Sequence, residues 1–233
     1  MYFKLSNTAA KETLEKMTKT YFKYPNLYRP QNIIHGLTEA TLPIVTMEEP
    51  DQLSLAIWGL LPESHTDDWS VFQNNFNTLN FHEESMDSKL WYAETMKERR
   101  CLIPITGYFT TLVENGEFYF FKIELKSGEP FYLAGVYNIL EDGFITCSIL
   151  IGRTDDFIKQ VQNTVDTMPI TISNEERDEW LSQETSPMRI KQLLKRPVKQ
   201  DFKATSISNE LYNFDDINNN LFASFEVPSK ELG

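Results

Sequence analysis

Few residues in this chain belong to types that perform chemistry, and they stand far apart. The histidines are His35, His65 and His82, and the cysteines are Cys101 and Cys147. No two histidines keep HxH or HExxH spacing, so the sequence offers no metal site. The glycine-rich phosphate loop, the dinucleotide-binding fingerprint and the GxSxG elbow are also missing, and no cofactor is expected. A cysteine–histidine pair would suffice for nucleophilic catalysis. Cys101, however, falls in the apolar run Cys101-Leu102-Ile103, where a thiol is normally inert. Both cysteines read as buried free thiols rather than a disulfide. One stretch stands out, RRCLIPITGYFTT at 99–111. It reads as a strand, a proline-glycine turn and a second strand that opens with Tyr108, Phe109, Thr110 and Thr111. A turn delivering aromatic and polar side chains into a sheet is a common way to build a site.

The elements that must hold such a site follow from periodicity. Ala10, Leu14, Met17 and Tyr21 recur at helical spacing, which predicts a helix over 8–22 capped by Asn7 or Thr8. LPIVT (42–46) and LSLAIWGL (53–60) read as strands around an acidic turn. The polar stretch that follows, as far as Phe81, reads as a long loop. Residues 83–97 suit a helix with Met86, Leu90, Ala93 and Met96 on one face. A β-meander comes next, turning at ENG (114–116) and KSG (126–128), with FITCSILI as a further strand. Ser173 and Glu176 form a capping box that opens a short helix containing Trp180 and Leu181. The basic helix SPMRIKQLLKR and the strand FKATSIS complete the chain. Many strands broken by few helices indicate an α+β fold, and no linker or repeat divides the 233 residues, so one domain over 1–233 is expected.

The composition limits the partners. Hydrophobic residues make up 41% of the chain and aromatics 13%, enough for a packed core, while the formal charge is −12 from 34 acidic and 22 basic residues. Such a field opposes a polyanion, because binding DNA requires lysine and arginine to displace condensed counterions. No apolar run is long enough to span a membrane and no signal peptide is legible at the start, so a cytoplasmic protein is expected.

Four landmarks, in order and at matching intervals, carry a family resemblance. They are WGLLP (58–62), NFHEES (80–85), RCLIPITGYFTT (100–111) and VDTMP (165–169). The chain resembles the SRAP family, the SOS response-associated peptidases or abasic-site processing proteins, whose members read WGLIP, NARSET, RCLIPxxGFYEW and HDRMP. The resemblance implies the SRAP fold, with a mixed or antiparallel, barrel-like sheet core surrounded by helices. It also implies single-stranded DNA carrying an abasic site as the partner. In the family the initiator methionine is removed, and the amine of a cysteine at the second position attacks the lesion's aldehyde. The thiol then closes a thiazolidine. A glutamate after the Gly-aromatic-aromatic step and the histidine of HDRMP handle protons, and the asparagine of NARSET positions groups near the N-terminus.

Transferred residue by residue, these roles find few takers. The second residue is Tyr2, which has no thiol. The glutamate position is Thr110, the tryptophan after it Thr111, the histidine Val165 and the arginine of HDR Thr167. Asn80 keeps the asparagine position and His82 replaces the arginine of NAR. Lys4 keeps a positive charge where members commonly carry arginine. Three replacements of this kind imply a member whose ancestral chemistry is gone.

Several residues keep two readings. Asn80 is either a groove residue touching nucleic acid or the N-terminus, or a loop asparagine bonded to backbone. His82 would contact phosphate or sit as a half-exposed loop histidine. Trp69, beside Asp67 and Asp68, would stack on a base, meet a partner or pack. Tyr108 and Phe109 read as core or pocket wall, and the basic helix with Lys199 as a patch or a solvated face. The functions in competition are noncovalent DNA binding, protein contacts by a pseudoenzyme, and a residual lyase or peptidase activity through the Met1 amine or Lys4. A bulky second residue opposes methionine removal, so the intact mass of the expressed protein is expected to include Met1.

Overall fold

The computed structural model describes residues 1–88, 90–195, 200–209, 212 and 231–232. Lys89, the Met96 side chain, Arg196 and Lys199 lie outside the described residues.

The chain builds two sheets. Its opening third supplies β1 (Lys4–Asn7), α1 (Lys11–Thr18), β2 (Tyr21–Phe22), β3 (Gln31–His35), β4 (Thr41–Thr46) and β5 (Gln52–Trp58). Then come α2 (Trp69–Asn75), β6 (Asn80–His82), α3 (Ala93–Glu98), β7 (Arg100–Ile105), β8 (Gly107–Glu114) and β9 (Glu117–Leu125). The remainder holds β10 (Phe131–Ile139), β11 (Ile145–Arg153), β12 (Thr167–Pro169), β13 (Thr171–Ile172), α4 (Arg177–Leu181), α5 (Pro187–Lys195), β14 (Phe202–Ile207) and β15 (Glu231–Leu232). One sheet runs β15-β14-β9-β8-β1-β3, and the other β12-β11-β10-β7-β4-β5-β2 with β13 and β6 attached. In the second sheet β5 also pairs in parallel with β11, at Thr146–Ile57 and Cys147–Trp58. That short contact joins β5, β4, β7, β10 and β11 into a ring, so the α+β core is barrel-like without being an even barrel.

The strands follow their sequence patterns. Phe121 and Ile123 of β9 alternate inward, and the turn from β8 into β9 carries left-handed backbone at Asn115 (φ 53°) and Gly116 (φ 80°), as a tight hairpin demands. The capping box forms as read, with the Glu176 amide donating to Ser173 Oγ at 3.3 Å and the Ser173 amide to Glu176 Oε2 at 3.2 Å. Arg100 fastens α4 to the ring. It is fully buried, and its guanidinium donates to the carbonyls of Trp180 (2.8 Å), Ser182 (2.7 Å) and Lys97. Burial pulls its pKa down to about 10, which leaves it charged at neutral pH.

Four expectations need correction. Helix α1 spans Lys11–Thr18 rather than 8–22, because Lys19 turns left-handed (φ 55°) and Tyr21–Phe22 join β5 as a parallel strand. Its N-cap is Ala10, while Asn7 lies in β1 with its amide on the Pro104 carbonyl. The helix expected over 83–97 divides into a 3₁₀ turn at Glu83–Asp87 and α3, and Tyr92, between them, stacks on Phe81 at 3.7 Å. The long loop contains α2, capped by Asp68, and strand β6. Finally, no proline-glycine turn exists: Pro104 pairs with Tyr132 inside β7, and Thr106 alone carries the chain from one sheet to the other. Cys101 and Cys147 are free and buried, and burial raises both thiol pKa values. No helix among the described residues is long and apolar enough to cross a membrane.

Replacing Arg100 by methionine would leave three carbonyls without their donor. The expected loss is about 3 kcal/mol of stability, read from the urea midpoint at unchanged m-value.

Candidate functional site

Strand β1 is hydrogen-bonded on both sides. Leu5 pairs with Tyr108 of β8 and with Ile34 of β3, which places residue 2 at the seam between the two sheets. Tyr2 is almost wholly buried, its ring edge-on to Tyr108 with centroids 5.6 Å apart. Its backbone amide donates to Asn80 Oδ1 at 2.5 Å, so Asn80 does meet the N-terminal segment. Asn80 is delivered there by β6, which runs parallel to β11 with Asn80 opposite Ile149.

The Tyr2 phenol sits 2.5 Å from Gln162 Oε1 and 2.7 Å from the Thr167 carbonyl. The Thr110 hydroxyl donates to the same Gln162 Oε1 at 2.6 Å. The Gln162 amide nitrogen in turn donates to the carbonyls of Val165 and Thr167, each at 2.8 Å. Every polar atom of that carboxamide is engaged, which fixes its orientation. Burial pushes the Tyr2 phenol well above its ordinary pKa, the Gln162 bond opposing in part. The phenol therefore stays neutral and serves as a hydrogen-bond donor, not as a nucleophile.

Around this knot lies a cavity of about 420 Å³. Met1, Tyr2, Lys4, Thr110, Gln162 and Val165 line it on one side, and Phe109, Phe118, Phe120 and Tyr212 bring aromatic faces. Among the described residues that line it there is no aspartate or glutamate, and the Met1 amine and Lys4 bring positive charge. The Met1 amine is half-buried, and desolvation lowers its pKa. Lys4 is buried, its ammonium donating to the Tyr212 carbonyl and lying 4.2 Å from that ring's centroid.

The structure thus gathers Tyr2, Lys4, Asn80, Thr110 and Val165 at one place. His82 and Trp69 do not line the cavity. His82 caps the following 3₁₀ turn, its Nδ1 accepting from the Glu84 amide at 3.2 Å. Trp69 is packed into the core and has no ring face to offer a base. Gln162 was invisible to sequence reasoning, since nothing marks a glutamine three residues before a motif as the partner of residue 2. Phe118 and Phe120 left a readable signal: two aromatics on the outward-facing alternation of β9.

A comparison with family models decides the assignment. The model described as SOS response associated peptidase (SRAP) matches residues 1–214. This chain belongs to the SRAP family. Among curated relatives it is 25% identical over 174 residues to the abasic site processing protein YobE of Bacillus subtilis strain 168, covering 72% of this chain and 76% of that protein. It is 24% identical over 174 residues to the abasic site processing protein YoqW of Bacillus phage SPbeta, covering 72% and 75%. Among solved structures, a protein from Bacteroides thetaiotaomicron superposes with a TM-score of 0.81 at 25% identity, covering 91% of this chain and 94% of that one. A phage-related protein from Bordetella bronchiseptica, at 17% identity and a TM-score of 0.65, covers 88% and 93% and shares the fold. The SRAP family is thereby linked to abasic-site processing.

Gln162→Leu removes the acceptor of two hydroxyls and the donor to two carbonyls. It is expected to cost about 3 kcal/mol in urea denaturation, against about 1 kcal/mol for Tyr2→Phe.

Proposed function

We propose that this SRAP protein engages single-stranded or abasic-site DNA without forming the thiazolidine crosslink. The observation that carries the reading is residue 2. A thiazolidine needs a free amine and a thiol on one residue; here that residue is a tyrosine whose nitrogen is an internal amide held by Asn80 and whose hydroxyl is held by Gln162. Thr110 and Val165, at the positions of the family's acid–base pair, offer no group that exchanges a proton near neutral pH. What remains is an aromatic cavity whose described lining residues include two cationic groups and no carboxylate, in a protein of net charge −12. Aromatic faces beside a cation suit unpaired strands, whose bases stack without regard to sequence.

A second reading rests on the Met1 amine. Desolvation enlarges its unprotonated fraction at neutral pH, and it lines the same cavity. Its lone pair would add to the C1′ aldehyde of an abasic site, and the carbinolamine would lose water to give an iminium. Loss of a C2′ proton would then expel the 3′ phosphate. A third role, contact with another protein, is supported by the exposed side chains of Val71, Phe76, Leu90 and Trp91.

Anisotropy titration with an abasic single-stranded oligonucleotide separates these readings. The expected result is binding that weakens steeply between low and moderate salt, with no SDS-stable adduct. Absence of binding at low salt by the monodisperse full-length protein overturns the first reading. An adduct that appears only after borohydride reduction establishes the second. Reproducible recovery of one partner protein, with no DNA binding, establishes the third.

A further inference from the structure

We propose that the exposed aromatic surface formed by α2, its C-cap Phe76 and the turn before α3 docks a basic amphipathic helix of another protein. The inference gives the protein-contact reading its chemistry and rests on it, and no residue of this surface lines the cavity.

The surface is a continuous run of rings. His65 lies edge-on to Phe72 with centroids 4.9 Å apart, and Phe72 meets Phe76 at 5.6 Å. Trp91 stands edge-on to Phe72 at 6.4 Å, to Phe81 at 6.5 Å and to Tyr92 at 5.6 Å. The run does not close over itself: Phe76 stays 64% exposed and Trp91 42% exposed, and Val71 and Leu90 are exposed on the same elements. It is nevertheless fastened to the interior. Phe72 packs against one large core cluster and Tyr92 against the other, so the exposed rings stand on a fixed base. Aromatics held in place before binding lose little side-chain freedom when a partner covers them. Such rings are the residue types that anchor the centres of protein interfaces.

Charge selects the occupant. Residues 63–99 hold eight carboxylates against Lys89, Lys97 and Arg99, and Arg99 pairs with Glu63 at 2.5 Å. Asp67 and Asp68 at the entry of α2, and Glu94 three residues beyond Trp91, are exposed. Carboxylates of this density repel a nucleic acid, an anionic membrane and the same surface of a second copy. A cationic partner is attracted, and the stems of its lysines add apolar contact while their ammonium groups meet the carboxylates. The exposed rings come from a helix end and a turn, not from a strand edge. The partner must therefore satisfy its own backbone, as a helix laid down on its apolar face does.

The test uses a fluorescein-labelled peptide of lysine and leucine at helical spacing, and a counterpart with glutamate in place of lysine. Binding is read by anisotropy with the full-length chain. Phe76→Ser/Trp91→Ser removes the rings, Asp67→Lys/Glu94→Lys reverses the charge and keeps the rings, and thermal melting verifies each fold. Wild type is expected to bind the lysine peptide, each variant on the order of tenfold more weakly, and no form the glutamate peptide. Equal binding of the lysine peptide by wild type and the ring variant means that charge alone attracts it, and overturns the docking surface. Failure of wild type to bind it, or equal binding of both peptides, has the same consequence. Self-association of wild type that the ring variant abolishes, read by sedimentation, overturns the proposal by assigning the surface to a second copy. Parallel affinity capture separates the surface from the reading beneath it. A reproducible partner retained equally by all three forms keeps the protein-contact reading and overturns the surface. If the peptides behave as expected and no partner is recovered, the surface stands and that reading falls.

Discussion

The site depends on β1 being gripped from both sides. A four-residue strand inserted between β3 and β8 fixes the height and direction of residue 2, and the other features of the cavity are arranged around that placement. Were β1 an edge strand, the Met1 amine and the Tyr2 ring would sample many positions, and ordering them would cost about 1–2 kcal/mol per residue. The same insertion brings Lys4 to the cavity wall and directs Tyr2 onto Tyr108. The grip is a matter of backbone pairing, so it does not depend on which side chain stands at residue 2.

Frame and cavity side chains answer to different constraints. Gly107 tolerates no side chain, since a Cβ there would lie 2.8 Å from the Ile123 carbonyl, and Trp58 is locked by its indole bond to the Leu79 carbonyl at 2.9 Å. Those residues answer to packing. Thr110 and Val165 answer to the cavity, and both fit a neutral hydrogen-bonded knot around Gln162. A glutamate at Thr110 would place a carboxylate against Gln162 Oε1, acceptor against acceptor, unless the amide turned over. The three side chains are thus mutually consistent: phenol, hydroxyl and carboxamide satisfy one another, with no charge left buried among them.

The parts legible in the sequence were those set by local rules. Alternation announced β9 and β11, left-handed turn residues announced the hairpin, and the Ser173–Glu176 spacing announced its helix. Helical periodicity misled at 8–22 and 83–97, where tertiary partners interrupted the pattern: β5 recruited Tyr21 and Phe22, and Phe81 drew Tyr92 into a stack. Within the site, Tyr2, Asn80, Thr110 and Val165 were readable because motif spacing marks them. Gln162 and Tyr212 were not, because their partners lie 160 and 208 positions away and no local pattern encodes such a pairing.

The long-range closure around β1 also sets an order in time. As the chain emerges from the ribosome, its first residues have no completed pocket to enter. Tyr108 lies about a hundred residues further on, and Gln162 and Thr167 further still. Contacts this remote in sequence form late, after their loop-closure cost can be met. Residue 2 therefore acquires its surroundings only once both sheets are in place, and a chain folded no further than β8 would lack the carboxamide that holds its phenol.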